Sequence, residues 1–143
     1  RRSGARASIV PMLDAADPLL KRLVDAARGA SGLDVLLLFG SRARGDAHAA
    51  SDWDFAYIAG PEFDVAGLLT TLVLELGTDD VDLVDLRRAG GLLRYRAARD
   101  GVTLFERTPG LADTFRIEAV LFWCEAGPLL ERAFEGVLRE LRP

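Results

Sequence analysis

The chain has 143 residues, which favours a single domain, and half of its residues are hydrophobic, which is enough for a buried core. Its formal net charge of −4 and its pI near 5.0 argue against sequence-independent binding to nucleic acid. The single cysteine, Cys124, excludes an internal disulfide and a cysteine-based zinc cluster and suits a reducing compartment. Because no apolar run reaches the ~18 residues of a membrane span, we expect a cytoplasmic protein that does not enter a membrane.

The N-terminal part is predicted to contain a loose tail, one helix and one strand. Residues 1–16 mix arginines with small residues and are assigned to the tail. A helix is predicted to begin at Asp17-Pro18, because Asp is a good N-cap and Pro fits the first helical position. The apolar run 35–39 is too short for an amphipathic helix and predicts a buried strand.

Two aspartates follow the turn that ends this strand. Gly40-Ser41 is followed by ten residues and then by Asp52-x-Asp54, which opens a second predicted strand at 52–59. Since strand side chains alternate, both aspartates are expected on one face, where they repel each other unless a cation lies between them. Mg²⁺ binds one or two carboxylates and completes its shell with water and substrate phosphates. The pattern therefore predicts a magnesium site.

The glycine turn is the expected contact for a phosphate group. Gly40 has no Cβ, so a ligand can approach the backbone closely, and Ser41 adds a hydroxyl. A short helix is predicted at 42–47, and its first N–H groups favour an anion. Arg42 and Arg44 are both candidates to reach a triphosphate, with Arg44 favoured, since guanidinium groups match phosphate geometry. A solvent-facing position is the alternative for both arginines.

Aromatic residues alternate with the carboxylates along the second strand. Trp53 and Phe55 are expected to pack on the opposite face, under a helix. Tyr57 is assigned to the carboxylate face, with core packing as its default role. His48, the only histidine, is predicted to lie at the surface, with a catalytic base as the less favoured alternative.

A third acidic strand is predicted after the clearest helix of the chain. That helix covers 62–76, and Gly77 is its expected C-terminal residue. Asp82 opens the strand and is the natural third carboxylate of the site. Asp80 and Asp85 compete with it, but Asp80 precedes the strand and Asp85 points to the opposite face by parity.

The remainder is predicted to be mostly helical. A helix at 90–100 has a basic side that either faces solvent or contacts a nucleotide or an acidic partner, and 102–105 is a short edge strand. Two separate helices follow at 111–125 and 128–141. The apolar stripe of the last helix comprises Leu130, Ala133, Phe134, Val137, Leu138 and Leu141.

This element order predicts an α/β fold. We expect a small mixed β-sheet with helices packed on one face, the site on its rim, and a C-terminal helical tail. We expect three segments: a tail at 1–16, a core at 17–107, and a helical segment at 108–143 that packs on the core or on a partner.

The motif resembles a known signature. Gly40-Ser41, ten residues and Asp52-x-Asp54 are similar to the pattern of the DNA polymerase beta-like nucleotidyltransferase superfamily, and the longer form, GSRARG … SDWDF, resembles its minimal nucleotidyltransferase (MNT) group. The resemblance covers about residues 33–105 and implies the nucleotidyltransferase fold. It also implies that a hydroxyl acceptor attacks the α-phosphorus of ATP and that pyrophosphate leaves, in a site with two Mg²⁺ ions about 4 Å apart.

The resemblance assigns roles to the candidate residues. Asp52, Asp54 and Asp82 are the implied catalytic residues and metal ligands, with Asp82 serving the nucleophile as metal ligand or general base. The implied nucleotide-binding residues are Gly40, Ser41, Arg44 and Ser51.

The acceptor is implied by the resemblance alone. Many MNT proteins are antitoxins that adenylylate and bind a HEPN ribonuclease toxin encoded nearby, and this is the primary expectation for function and partner. The alternatives are an aminoglycoside-type small-molecule nucleotidyltransferase and a non-catalytic nucleotide- or partner-binding module. Whether the chain forms homo- or hetero-oligomers stays open.

Overall fold

The computed structural model describes residues 16–45 and 51–141. Nearly all of the predicted N-terminal tail, and His48 with its neighbours, lie outside the described residues. The helices are α1 (Pro18–Arg28), α2 (Ser41–Arg44), α3 (Val65–Leu76), α4 (Gly91–Asp100) and α5 (Leu111–Leu141), and the strands are β1 (Leu33–Phe39), β2 (Trp53–Ala59), β3 (Val81–Asp85) and β4 (Val102–Glu106).

The strands form one mixed sheet in the order β3-β2-β1-β4. β1 is antiparallel to both β2 and β4, whereas β2 and β3 are parallel. A parallel pair needs a crossover connection, and α3 provides it. The predicted mixed sheet is confirmed, and β4 is the edge strand expected at 102–105.

Helices cover both faces of the sheet, so the expectation of helices on one face was too narrow. One apolar cluster joins α1 and α3 to the sheet through residues such as Leu23, Leu36, Phe55 and Leu72. A second cluster lies on the other face, where α4 and the first turns of α5 pack against alternate residues of β1 and β2. Its members include Leu37, Ala56, Ala97, Ala112 and Phe115.

Capping residues set the helix ends: α1 begins where the sequence predicts, whereas α3 begins at Val65 and not at residue 62. Asp17 accepts a hydrogen bond from the Leu19 N–H at 2.8 Å, and Pro18 occupies the first helical turn. Asp64 caps α3 by accepting from the Gly67 N–H at 3.0 Å. Gly77 ends α3 with φ of +70°, a backbone conformation that L-residues rarely adopt.

The C-terminal segment is one helix of 31 residues, and the predicted break at Pro128 is wrong. A proline removes one helical hydrogen bond and crowds the preceding turn, which is why the sequence suggested two helices. The chain nevertheless stays helical on both sides of Pro128. All six side chains of the predicted final stripe lie outside the part that the structure describes. None of the described helices combines the length and apolar content that a membrane crossing requires.

Tyr57 lies on the opposite face from the one we assigned to it. Its ring is buried with Trp53 and Phe55 in the α1–α3 cluster and contacts the Phe63 ring at a centroid distance of 5.6 Å. Strand alternation groups Tyr57 with these odd-numbered aromatic residues, opposite Asp54. The expected packing of Trp53 and Phe55 on this face is confirmed, with 6 % and 0 % of each exposed.

Candidate active site

The parallel pairing of β2 and β3 brings two of the predicted carboxylates together. Asp54 is the register partner of Asp82, and Trp53 is the partner of Val81. Paired residues of neighbouring strands share a face, so both carboxylates lie on the face that α4 and α5 cover further along the sheet. The Trp53 N–H also donates to the Asp80 carbonyl at 3.0 Å, which fixes the entry to both strands. Asp52 stands one residue before β2, at an exposed position.

The glycine turn lies directly against Asp54. β1 ends at Phe39, which is the antiparallel partner of Asp54, and the turn follows at once. Gly40 has φ of +77° and ψ of −160°, a region almost exclusive to glycine. A Cβ at this position would stand 3.2 Å from Asp54 Cγ and closer still to Oδ2. Only glycine therefore lets the turn approach the carboxylate this closely.

The electrostatics of the carboxylates indicate a place for a cation. The pKa of Asp54 is raised, first by burial and then by the negative charges of Asp82 and Asp52, while Arg44 opposes the shift. The negative charges of Asp52 and Asp82 thus repel that of Asp54, and the positive charge of Arg44 offsets this repulsion only in part. A bound cation would relieve this repulsion, so the donor set fits a divalent metal.

These side chains do not form a closed metal cage. Within residues 16–45 and 51–141, no three His, Cys, Asp or Glu side chains are close enough to hold a metal ion by themselves. Mg²⁺ retains several waters and uses few protein ligands together with substrate phosphates, so an open set of carboxylates suits it better than a cage.

The short helix α2 contains two further predicted binding residues, Ser41 and Arg44. Ser41 is its first residue, and the hydrogen bonds of this helix begin with Ala43 N–H to Gly40 O at 3.1 Å. Arg44 is close enough to Asp54 to affect its pKa, and its Nη1 lies 3.9 Å from Asp100 Oδ2. Arg44 therefore lies close to Asp54.

Arg42 contacts two residues at the start of β2. Its guanidinium lies over the Trp53 ring, 4.3 Å from the centroid. Its Nη2 donates to the Ser51 carbonyl at 2.9 Å. Ser51, a predicted nucleotide ligand, is thus at the site and engaged through its backbone.

The competing carboxylates are placed where the sequence suggested. Asp80 precedes β3. Asp85 lies at the far end of that strand, where its Oδ1 accepts from the Arg87 N–H at 2.9 Å in a turn. It borders Tyr57, whose pKa is raised by burial and by the Asp85 charge. Asp85 is thus on the opposite face from Asp82.

Sequence reasoning did not find Asp100. It ends α4, far from the motif along the chain, and accepts hydrogen bonds from Arg99 at 2.8 and 2.9 Å. The Arg99 hydrogen bonds are the main reason that the pKa of Asp100 is lowered, with Arg44 contributing. No local pattern marks this residue, because only the packing of α4 brings it next to Arg44.

Comparisons with known proteins identify the family of this chain. The family model described as polymerase beta nucleotidyltransferase matches residues 21–109. The protein adenylyltransferase MntA of Aphanizomenon flos-aquae (strain 2012/KM1/D3) is 33% identical over 118 residues, which cover 73% of this chain and 78% of that protein.

Solved structures show the same fold. A chain from a crystal structure of a toxin–antitoxin with AMP-PNP is 26% identical, with a TM-score of 0.70 over 83% of this chain and 98% of that one. The complex of the tri-AMPylated Shewanella oneidensis HEPN toxin with its MNT antitoxin contains a chain with 23% identity and a TM-score of 0.64, over 84% of this chain and 96% of that one, which supports the fold alone. The chain belongs to the polymerase beta nucleotidyltransferase family.

Proposed function

We propose that this protein transfers AMP from ATP to a hydroxyl group of a HEPN-type toxin and so acts as its antitoxin. The observation that carries the proposal is the register of Asp54 with Asp82, with Gly40 packed against Asp54. The 33% identical relative is named a protein adenylyltransferase, and the 26% identical structure is that of a toxin–antitoxin with the ATP analogue AMP-PNP.

Asp52, Asp54 and Asp82 are the residues that would hold Mg²⁺. Bound there, two Mg²⁺ ions would neutralise the phosphates and stabilise the charge that develops on the entering and leaving oxygens. Burial, and then the negative charges of Asp82 and Asp52, raise the pKa of Asp54, and a nearby positive charge would offset both effects, which supports this assignment.

Gly40, Ser41, Arg44 and Ser51 are the proposed nucleotide contacts. The absence of a Cβ at Gly40 lets a phosphate approach the backbone, and the Ser41 hydroxyl is available as a donor at the start of α2. Arg44 would contribute a guanidinium to the phosphates, while Asp100 limits the directions in which that side chain can turn.

The reaction is an in-line displacement at the α-phosphorus. The acceptor oxygen forms a bond to this phosphorus while the bond to the oxygen of pyrophosphate breaks, and pyrophosphate leaves with that electron pair. The proton of the acceptor hydroxyl passes to the carboxylate of Asp82, which we assign as the general base. AMP is thereby joined to the acceptor as a phosphodiester.

The cytoplasm is the proposed location. ATP is available there, and Cys124, an exposed free thiol, suits a reducing compartment.

The test is transfer of radiolabelled AMP from [α-³²P]ATP to the HEPN-type protein encoded next to this gene. We expect labelling that requires Mg²⁺ and falls at least about a thousandfold in Asp54→Asn, which corresponds to roughly 4 kcal/mol of transition-state stabilisation. Asp113→Asn is the matched control, since this carboxylate is 81% exposed on α5 and should leave the rate unchanged.

Other outcomes identify other functions. Pyrophosphate release with an aminoglycoside panel, and none with the protein acceptor, would make the chain a small-molecule enzyme. Tight binding to the neighbouring protein without any transfer would make it a binding module. Undiminished labelling by Asp54→Asn would refute the assignment of the site.

A further inference from the structure

Arg42 joins the two halves of the candidate site by two contacts. It lies in α2, one residue past Ser41, and its guanidinium plane covers the Trp53 ring at 4.3 Å from the centroid. The same guanidinium donates from Nη2 to the Ser51 carbonyl at 2.9 Å. The Arg42 side chain, which follows the Gly40-Ser41 turn, thus contacts two residues at the start of β2.

These two contacts flank Asp52 on both sides. Ser51 precedes Asp52 and Trp53 follows it, and β2 begins only at Trp53. The sheet pairing of β2 with β3 therefore starts after Asp52 and does not hold its backbone. Asp54, in contrast, is paired with both Phe39 and Asp82. Of the three carboxylates, Asp52 depends most on side-chain contacts for its position.

Trp53, one of the two partners of Arg42, is held by further contacts. Trp53 is 6% exposed, its ring stacks with the Phe55 ring at a centroid distance of 6.3 Å, and its backbone N–H donates to the Asp80 carbonyl. Ala43, the neighbour of Arg42 in α2, is also 6% exposed, so the helix itself is seated in the core. An arginine can stack on the ring and donate in a fixed direction at once, whereas a lysine ammonium cannot stack in this way.

We propose that Arg42 is a positioning residue for nucleotidyl transfer: it acts through the Trp53 ring and the Ser51 carbonyl to hold Asp52 against the Gly40-Ser41 turn. It does so without contacting the phosphates, a task that belongs to Arg44. The inference rests on the proposed function, because it assigns Asp52 to the metal site of that reaction.

The test compares Arg42→Met and Arg42→Lys with wild type in two measurements. The first is the rate of AMP transfer, resolved into KM for ATP at saturating Mg²⁺ and the Mg²⁺ concentration for half-maximal rate. The second needs no acceptor and no turnover: the rise in melting temperature during a Mg²⁺ titration at saturating AMP-PNP. Arg28→Met is the matched control, since Arg28 is an exposed arginine at the end of α1.

We expect both Arg42 variants to need about 10- to 100-fold more Mg²⁺, as is typical when a residue that orients a metal ligand is lost. KM for ATP should stay within about twofold of wild type, since no phosphate contact has been removed. Trp53→Leu should raise the Mg²⁺ requirement, and adding Arg42→Met should raise it further by less than Arg42→Met does alone, because the contact with the ring is already lost and only the Ser51 contact remains. Trp53→Met, which also lacks a ring, replaces it if the leucine variant does not fold.

Three results would overturn the inference. A KM for ATP raised more than tenfold with an unchanged Mg²⁺ requirement would make Arg42 a phosphate ligand. A lower melting temperature with an unchanged Mg²⁺ requirement would make it a structural residue only. A rise in the Mg²⁺ requirement of the double variant equal to the two single effects combined would show that Arg42 does not act through Trp53. If wild type transfers no AMP, the proposed function fails, while the Mg²⁺ titration with AMP-PNP still decides the role of Arg42.

Discussion

Replacing Gly40 by alanine perturbs the site through one added methyl group. The new Cβ would lie less than 3.0 Å from Asp54 Oδ2 and 3.2 Å from Asp54 Cγ, distances at which the carboxylate has to move. The backbone is also held at φ of +77° and ψ of −160°, where a residue with a Cβ is strained. The substitution therefore acts on stability and on the position of Asp54 separately.

The two effects have different magnitudes. Backbone strain in this region costs about 1–3 kcal/mol, which for a chain of this size lowers the melting temperature by roughly 4–12 °C. Displacing the Asp54 carboxylate by roughly 1 Å lowers the rate of AMP transfer about a hundredfold, because the reacting groups lose their alignment. The loss of rate thus exceeds what partial unfolding at 25 °C would cause.

Gly77→Ala is the matched control for Gly40→Ala. Gly77 has φ of +70°, but a Cβ there would meet nothing within 4 Å, so only the backbone strain is shared. We expect both variants to melt at lower temperature in differential scanning calorimetry, and only Gly40→Ala to lose AMP transfer when assayed well below its melting temperature. A folded Gly40→Ala protein with the wild-type rate, or an equal loss of rate in Gly77→Ala, would refute the reasoning.

Three further predictions concern stability. Because the pKa of Asp54 is raised in the fold, its charge destabilises the metal-free protein as pH rises above about 3.8. Asp54→Asn should therefore melt no lower than wild type at pH 7 without metal. A lower melting temperature of Asp54→Asn under these conditions would contradict this prediction. Arg116, on α5, donates to Gly101 O at 2.6 Å and to Thr103 Oγ1 at 3.1 Å. Arg116→Met should therefore lower the free energy of unfolding in urea by about 2 kcal/mol. A decrease below about 0.5 kcal/mol would contradict a role of Arg116 in holding α5. Pro128→Ala should strengthen the helical signal at 222 nm and raise the free energy of unfolding by up to about 3 kcal/mol, whereas an unchanged spectrum would show that the proline does not weaken α5.

The carboxylate pair shows how far local patterns reach. Alternation along a strand predicted that Asp52 and Asp54 share a face, and the position of Asp82 at the start of the third strand made it the favoured partner. The parallel register of Asp54 with Asp82 agrees with that choice. The functional roles of these residues stay predictions until the transfer assay is done.

The errors came from rules applied too locally. Tyr57 was assigned to the wrong face, although consistent alternation groups it with Trp53 and Phe55. The break at Pro128 followed from the average behaviour of proline, which the remainder of a long helix can override. The second layer of helices was missed, because the apolar run of β1 shows that both its faces are buried but not what buries them.

The sequence by itself determined the N-cap of α1, the glycine that ends α3, the strand of continuous apolar residues, the glycine turn and the spacing of the carboxylates. Each of these depends on the conformational preferences of a few consecutive residues. Only the tertiary structure decided that Arg42 lies on Trp53, that Arg44 approaches Asp100, and that α4 and α5 cover the second face. These contacts join segments that the sequence separates, and whether they form depends on how whole elements pack, which no local pattern specifies.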